Sequence, residues 1–542
     1  MKRPLVVALL FVLLWGLGLA TRSITRPDEG RYAEIAREMA VSGDWITPRL
    51  NGIPYFEKPP LQYWATAESI QLLGPTALAA RLWTALMGLL GVWVVWRTGD
   101  RLFGHGSGKW AALVLISSLY YAVLGHINSL DMGVSVWMTL SVCAFLLAQV
   151  EDRRWMMLAW AGTAAAVLSK GLMALAIPGG ALILYFLWTR DTSPWRRLDP
   201  IRGVLIFLAL GAPWFLLCGT QHPEFFHFFF IHEHFERFTS TVHNRAEPFW
   251  YFIPILLAGL LPWTGLLYTS VIRPLRGFHS RTFSPQRFLA LYALFVLLFF
   301  SLSESKLPSY ILPAFPAVAL LMGRTLAQRP GMSYSPLWLG LLWAGTLAFA
   351  AAVLRFPDLA AQWGIHPDID EDLVEPYRQF ATWILSASVA MIIGVCLALR
   401  WRDQTLKALT ALALTSLIAV QTLMQGSETL SDVTSSHRIA MDYAAEFKAA
   451  SHIYSIGTYD QTLDYYLHRT VVLVAFQDEL AFGLTLEPWQ AIPTLNAFRN
   501  LWLNEPGARA IMAPPTFELL AASGVPMRMI FRDPRRVIVA RI

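Results

Sequence analysis

Thirteen apolar runs leave this chain few folds to choose from. They read at 5–20, 79–96, 109–125, 132–150, 154–169, 171–188, 203–218, 249–272, 287–303, 308–327, 336–354, 378–399 and 405–424. A run of about 20 apolar residues crosses a bilayer as a helix, because lipid offers no partner to backbone N–H and C=O groups. The composition agrees. Of 542 residues, 55% are hydrophobic and 15% charged, where soluble proteins carry roughly 25% charged residues. That excludes an ordinary soluble enzyme and a disordered chain, and implies a polytopic α-helical integral membrane protein. The formal net charge of +6 is small for this length and gives no reason to expect nucleic-acid binding. Cys143, Cys218 and Cys396 all lie inside apolar runs, so neither a disulfide framework nor a zinc spacing is expected. The first run ends in Gly18 and Ala20, as a signal peptide does. The many later runs favour an uncleaved anchor.

Alternate loops differ sharply in charge. One series carries Lys2/Arg3, Arg97/Arg101/Lys109, Arg153/Arg154, Arg190/Arg196/Arg197/Arg202 and comparable clusters up to Arg400/Arg402/Lys407. The opposite short loops carry few cations, chiefly Lys170, Arg237, Arg245, Lys306 and Arg355. The positive-inside rule places the first series in the cytoplasm. Three segments are then expected outside: loop 21–78, loop 219–248, and the tail from 425. The chain thus divides into a transmembrane body over 1–424 and an outer α/β domain over 425–542. In that domain His452–Gly457, Thr470–Phe476, Arg509–Ala513 and Arg536–Arg541 read as strands. Asp460–Leu467, Thr494–Leu503 and Thr516–Ala522 read as helices between them. No internal repeat is visible.

The first outer loop opens Arg26-Pro27-Asp28-Glu29-Gly30-Arg31-Tyr32. Tyr32, Ile35, Ala36 and Met39 follow at helical spacing, with Glu34, Arg37 and Glu38 off the stripe, which predicts an amphipathic helix on the membrane surface. Asp28 stands where such a helix begins, so it is either an N-cap or a carboxylate presented to a site. Further on, Tyr55-Phe56-Glu57-Lys58-Pro59-Pro60 fixes two opposite charges on a proline-stiffened turn. Those charges form either a solvated pair or a grip on a phosphate and a cation.

Other ionisable residues fall at the same face. Asp131 starts the fourth run, and an ionisable group at a membrane boundary is a functional candidate. Lys170 separates two apolar runs, and Lys306 precedes Pro308 and Tyr310. Each lysine either snorkels or joins Lys58 and Arg245 around one lipid phosphate. The second outer loop is rich in Phe and His. Its histidines are interfacial, or His232 or His234 completes a divalent metal site with Glu57, with zinc or manganese suited to imidazole and carboxylate.

Asp28-Glu29 after the first run, the segment Tyr55–Trp64 and Asp131 after the third run resemble the GT-C class of lipid-linked-sugar glycosyltransferases. Within it the pattern is similar to the bacterial 4-amino-4-deoxy-L-arabinose lipid A transferases, relatives of protein O-mannosyltransferases. The resemblance implies a GT-C fold of about 13 spans with its C-terminal domain in the periplasm, in the inner membrane. It implies an inverting transfer of aminoarabinose from undecaprenyl phosphate to a lipid A phosphate, which blunts cationic antimicrobial peptides such as polymyxin. By the same resemblance Asp28 and Asp131 are catalytic, Lys58 contacts the donor phosphate, and Glu29, Tyr55, Glu57 and Tyr310 bind substrate. The rival enzyme is a protein O-mannosyltransferase acting on a hydroxyl. The rival outside catalysis is a transporter, which places ionisable residues in mid-span rather than at one face.

Overall fold

The computed structural model of the chain describes residues 2–236, 247–275, 283–328, 335–362 and 373–541. Each apolar run falls on helix, but not each on one long helix. Among the described residues six helices are long and apolar enough to cross a membrane: Ala77–Phe103, Leu130–Val150, Pro200–Gln221, Leu337–Arg355, Val374–Arg400 and Thr405–Thr434. The run at 249–272 is broken instead. Phe252–Gly259 and Thr264–Leu275 meet at 110°, across Pro262, whose missing N–H cannot continue a helical ladder. The run at 109–125 splits into Ser107–Ser117 and Leu119–Leu124, and the run at 308–327 becomes helical from Ala314 to Gln328. Val6–Gly16, Met173–Thr189 and Pro285–Ser301 are shorter apolar helices.

Small residues let these helices approach closely. The buried Trp15 indole of the first helix donates to the Ala85 carbonyl at 3.0 Å. Its ring occupies the space above Gly88 and Gly125, where an added Cβ would lie 2.4 and 2.2 Å from it. The orientation is checked with reporter fusions: one after Phe103 is expected to be cytoplasmic and one after Gly524 periplasmic. A cytoplasmic signal at Gly524 would invert the orientation.

The C-terminal domain holds a six-stranded sheet. Its strands are β3 (Ile453–Ile456), β4 (Val472–Val474), β5 (Ala491–Ile492), β6 (Arg509–Met512), β7 (Met527–Arg532) and β8 (Val537–Arg541); β1 (Arg49–Leu50) and β2 (Ile53–Pro54) form a separate hairpin in the first loop. The sheet order is β5-β4-β3-β6-β8-β7. The first four run parallel, and β8 lies antiparallel to β6 and β7. Strands β5 and β7 were not expected. Both are edges, one is two residues long, and β7 shows no buried face to give it an alternating pattern.

The domain sits on the first loop. Asn51, at φ 55°, exchanges two hydrogen bonds with the backbone of Val471, at 2.9 and 2.8 Å. Gly30 lies under the start of helix Gln461–Leu467, so close that a Cβ would fall 2.7 Å from the Thr462 methyl. The expected amphipathic helix forms, with the C-terminal domain packed on it. Helix Asp28–Ser42 is sandwiched, its apolar stripe packed with Tyr63, Ala67 and Leu463. Off the stripe, Glu34 and Arg37 are buried too and Glu38 is half-buried, because the C-terminal domain covers that side.

Glu34, Arg37, Glu38 and Asp464 meet in this interface. Arg37 holds Glu34 with two bonds of 2.6 and 2.5 Å, and the Gly52 amide donates to Glu38 at 2.9 Å. Asp464 accepts from the Tyr459 hydroxyl at 3.0 Å, while its other oxygen has no hydrogen-bond partner. Three carboxyls thus share one guanidinium. Burial raises all three above the ordinary carboxylate range; Glu34 reinforces the rise at Glu38 and Asp464, and Glu38 stands at about 8. A raised acid favours folding while protonated. Its stabilisation is full below about pH 4.5, falls by about 1.4 kcal/mol for each step of one in pH above that, and is gone once the pH has passed about 8. The thermal midpoint of the purified protein is expected to fall between pH 5 and 9, and Glu38→Gln to flatten that slope. An equal slope in the variant would exclude Glu38.

Candidate active site

The first loop is tied down by a buried ion pair. Glu29 receives Nε and Nη2 of Arg81 at 2.8 Å each, the Asn128 amide at 2.9 Å, and the amide and hydroxyl of Thr25 at 3.1 and 2.9 Å. Arg81 also donates to the carbonyls of Leu19, Arg22 and Ser23. Burial alone would raise the Glu29 carboxyl, but the Arg81 charge and hydrogen bonds outweigh it and hold it at about 2. Both oxygens are occupied and the side chain is 1% exposed. Glu29, expected from the sequence to bind substrate, is here committed to Arg81 and its own loop. It joins the loop to the end of the first span and to the segment before Asp131.

That clamp aims its neighbour. Asp28 is the first residue of its helix, and the N-cap position belongs to Pro27, so Asp28 is no cap. Its carboxylate accepts from Arg31 at 2.9 Å and remains 47% exposed. Arg31 also pairs with Glu479 from the C-terminal domain and lies over the Tyr32 ring. Sequence reading missed both partners. Arg31 carried a signal, three residues after Asp28 on one helix face. Glu479 carried none, being 448 residues from Arg31 in the chain and brought in only by domain docking.

Lys58 is fixed by the turn that the prolines predict. Its Nζ donates to Glu233 at 2.7 Å and to the Glu57 carbonyl at 2.7 Å, and lies 3.9 Å from the Glu57 carboxylate. Glu233, 4% exposed, is a further group the sequence reading missed. It stands in the π-helical turn His227–Glu236. That turn is pinned by Phe228, whose ring stacks on Phe482 of the C-terminal domain at 3.9 Å.

The third group joins Asp131, Lys170 and Tyr310. Lys170 donates to Asp131, and its ammonium sits 4.9 Å from the centre of the Tyr310 ring. Asp131 is the second residue of its helix and does not cap it. Lys306 departs from the expected ring of cations. It is 7% exposed and donates to the Ser303 carbonyl at 2.6 Å, so it serves its own turn. Arg245 lies outside the described residues, as does the side chain of His234.

Two buried tyrosines bring the groups together. The Tyr63 phenol lies within the fields of Glu57, Arg31, Asp28 and Glu233; the Tyr32 phenol lies within those of Asp28, Arg31 and Asp131. Burial first, and these carboxylates second, raise both phenols well above their usual range, so both stay neutral. The hydroxyls of Tyr55 and Tyr63 are buried without a hydrogen-bond partner, which leaves them as donors for a ligand. Among the described residues no three His, Cys, Asp or Glu converge. Glu57 faces Lys58, and His232 stacks on Phe228.

A helical membrane body with carboxylates and cations gathered at one face, beneath a small α/β domain, defines a GT-C-type membrane glycosyltransferase. The aminoarabinose transferase C-terminal domain family matches residues 439–541, and the dolichyl-phosphate-mannose-protein mannosyltransferase family matches residues 57–216. The undecaprenyl phosphate-alpha-4-amino-4-deoxy-L-arabinose arabinosyl transferase of Pseudomonas paraeruginosa is 32% identical over 91% of this chain and 89% of that one. Its counterpart in Pectobacterium carotovorum is 35% identical over 71% of each chain. The crystal structure of ArnT from Cupriavidus metallidurans bound to undecaprenyl phosphate superposes with a TM-score of 0.91 at 34% identity, covering 99% of this chain and 98% of that one. The chain belongs to the undecaprenyl phosphate-alpha-4-amino-4-deoxy-L-arabinose arabinosyl transferase family.

Proposed function

We propose that the chain moves 4-amino-4-deoxy-L-arabinose from undecaprenyl phosphate to a phosphate of lipid A at the periplasmic face of the inner membrane. The carrying observation is the gathering of Asp28, Asp131, Glu57 and Glu233 around Tyr32 and Tyr63, with Lys58 held to the last two of these acids. A single displacement at the anomeric carbon needs cations for the departing phosphate, and Lys58 stands ready on its fixed turn. A lipid A phosphate has a second pKa of about 6, so at neutral pH it is largely an anionic nucleophile without help from a base. That leaves Asp28, held by Arg31, to receive the ammonium of the donor sugar. Asp131, held by Lys170 over Tyr310, closes the other side.

Mass spectrometry of lipid A from cells with and without the chain tests the reaction; an unchanged spectrum would refute it. Asp28→Asn, Glu57→Gln and Asp131→Asn are each expected to lose transfer while the protein still inserts and stays folded in detergent. Full activity in all three would remove the site.

A further inference from the structure

A cavity of about 640 Å³ lies at the seam between the membrane body and the C-terminal domain. One wall is Leu373 and Pro376, at the outer head of helix Val374–Arg400. A second is the end of the last span and the segment after it, with Asp432, Arg438 and Tyr443. The third is Phe531 and the turn Asp533–Arg536 between β7 and β8. The cavity therefore combines apolar surface at the bilayer boundary with four arginines and the carboxylates of Asp432, Asp442 and Asp533.

The arginines are not equivalent. Arg536 is spent: it donates to Ser436 at 2.7 Å, to the Asp432 carbonyl at 2.9 Å and to Asp533 at 3.0 Å. Arg438 pairs with Asp432 and Asp442, at 2.7 and 3.4 Å. Arg532 pairs with Glu518 at 3.0 Å and is half exposed. Arg535 donates Nη2 to Asp460 at 3.0 Å, while its Nε and Nη1 are buried without a hydrogen-bond partner. Buried donors left unmade are costly, and a guanidinium fork matches the oxygens of a phosphate. Burial lowers Arg535 to about 10; Asp460 opposes this, and Arg536 and Arg26 add to it.

Its position links it to the reaction. The Arg26 amide donates to the Thr434 carbonyl at 2.8 Å, two residues before Asp28. Asp460, the partner of Arg535, caps helix Gln461–Leu467, whose Thr462 presses on Gly30. We propose that this cavity receives the phosphate-bearing headgroup of a lipid, with Arg535 as its principal ligand and Arg438 and Arg532 beside it, and that this lipid is the acceptor. The assignment rests on the reaction proposed above. Inorganic phosphate shares the chemistry and is an arm of the test.

The full chain carrying Asp28→Asn, to halt turnover, is placed in phosphatidylcholine nanodiscs and titrated by native mass spectrometry with lipid A. Adding Arg535→Gln is expected to weaken binding about tenfold, the effect of one lost charge-assisted bond. Arg532→Gln, which leaves Asp460 untouched, is expected to weaken it severalfold and guards against misfolding of the first variant. Dephosphorylated lipid A is expected to bind the parent as weakly as lipid A binds the Arg535→Gln protein. Equal affinities in parent and both variants would overturn the site. Displacement of lipid A by phosphatidylglycerol or inorganic phosphate at equal concentration would overturn the acceptor assignment. In the otherwise wild-type chain, Arg535→Gln is expected to raise KM for lipid A and not KM for the donor. Phosphate-dependent binding without any transfer by the wild-type chain would sink the proposed reaction and support the phosphate site; transfer with indifferent binding would sink the cavity.

Discussion

Lys58→Ala is expected to lower kcat about a hundredfold, a loss of roughly 3 kcal/mol of transition-state stabilisation. The lysine stands on a rigid turn, 2.7 Å from Glu233 and 3.9 Å from Glu57, beside the face where a membrane-embedded donor presents its phosphate. Charge on that phosphate grows as the sugar leaves, so a fixed cation gains more in the transition state than in the ground state. The structure adds a second consequence. Without Lys58 the buried Glu233 carboxylate loses a cationic partner next to the donor phosphate, so KM for the donor is expected to rise as well. Lys58→Ala with Glu233→Gln is expected to recover the donor KM and leave kcat low. Lys58→Arg is expected to recover part of kcat, because a guanidinium fork differs from a point charge. Steady-state kinetics with purified protein and a polyprenyl-phosphate aminosugar decide the matter. A change confined to KM would reduce Lys58 to a donor anchor.

Glu29→Ala is expected to destabilise the fold by about 3–5 kcal/mol, since it strands Arg81 in a fully buried position. Asp28→Ala, one residue earlier and half exposed, is expected to change stability little and activity greatly. Thermal unfolding in detergent beside transfer assays separates the two. Equal stability losses would mean that Asp28 is structural after all. Because the Glu29 carboxyl is held at about 2, its contribution is complete above about pH 4.5 and is lost as pH falls toward 2. The interface of Glu34, Glu38 and Asp464 runs the opposite way, losing stability as pH rises. The two trends together put the optimum of these groups' contributions at about pH 4.5.

The legible part of this protein was written in periodicity and charge. Apolar runs marked helices because lipid cannot satisfy a bare backbone. Asp28, Lys58 and Asp131 stood out because ionisable groups at a membrane boundary are costly unless used. Four of the domain's strands were readable because each is a short apolar run buried almost throughout. Strand β7 was not, since an exposed edge leaves no such pattern.

What only tertiary structure decided was the choice between neighbours of the same chemistry. Asp28 and Glu29 are adjacent acids, yet one stays half exposed beside Arg31 and the other is locked to Arg81, because Arg81 arrives from a separate helix. Lys58, Lys170 and Lys306 are similar lysines at one face, yet each is committed to a different partner. Glu233 and Glu479 have no local signal at all. They reach Lys58 and Arg31 only because the C-terminal domain stacks Phe482 on Phe228 and closes over the first loop. Periodicity is a property of a segment and can be read from it. Pairing of buried charges depends on which segments meet, and is settled when packing removes water from them.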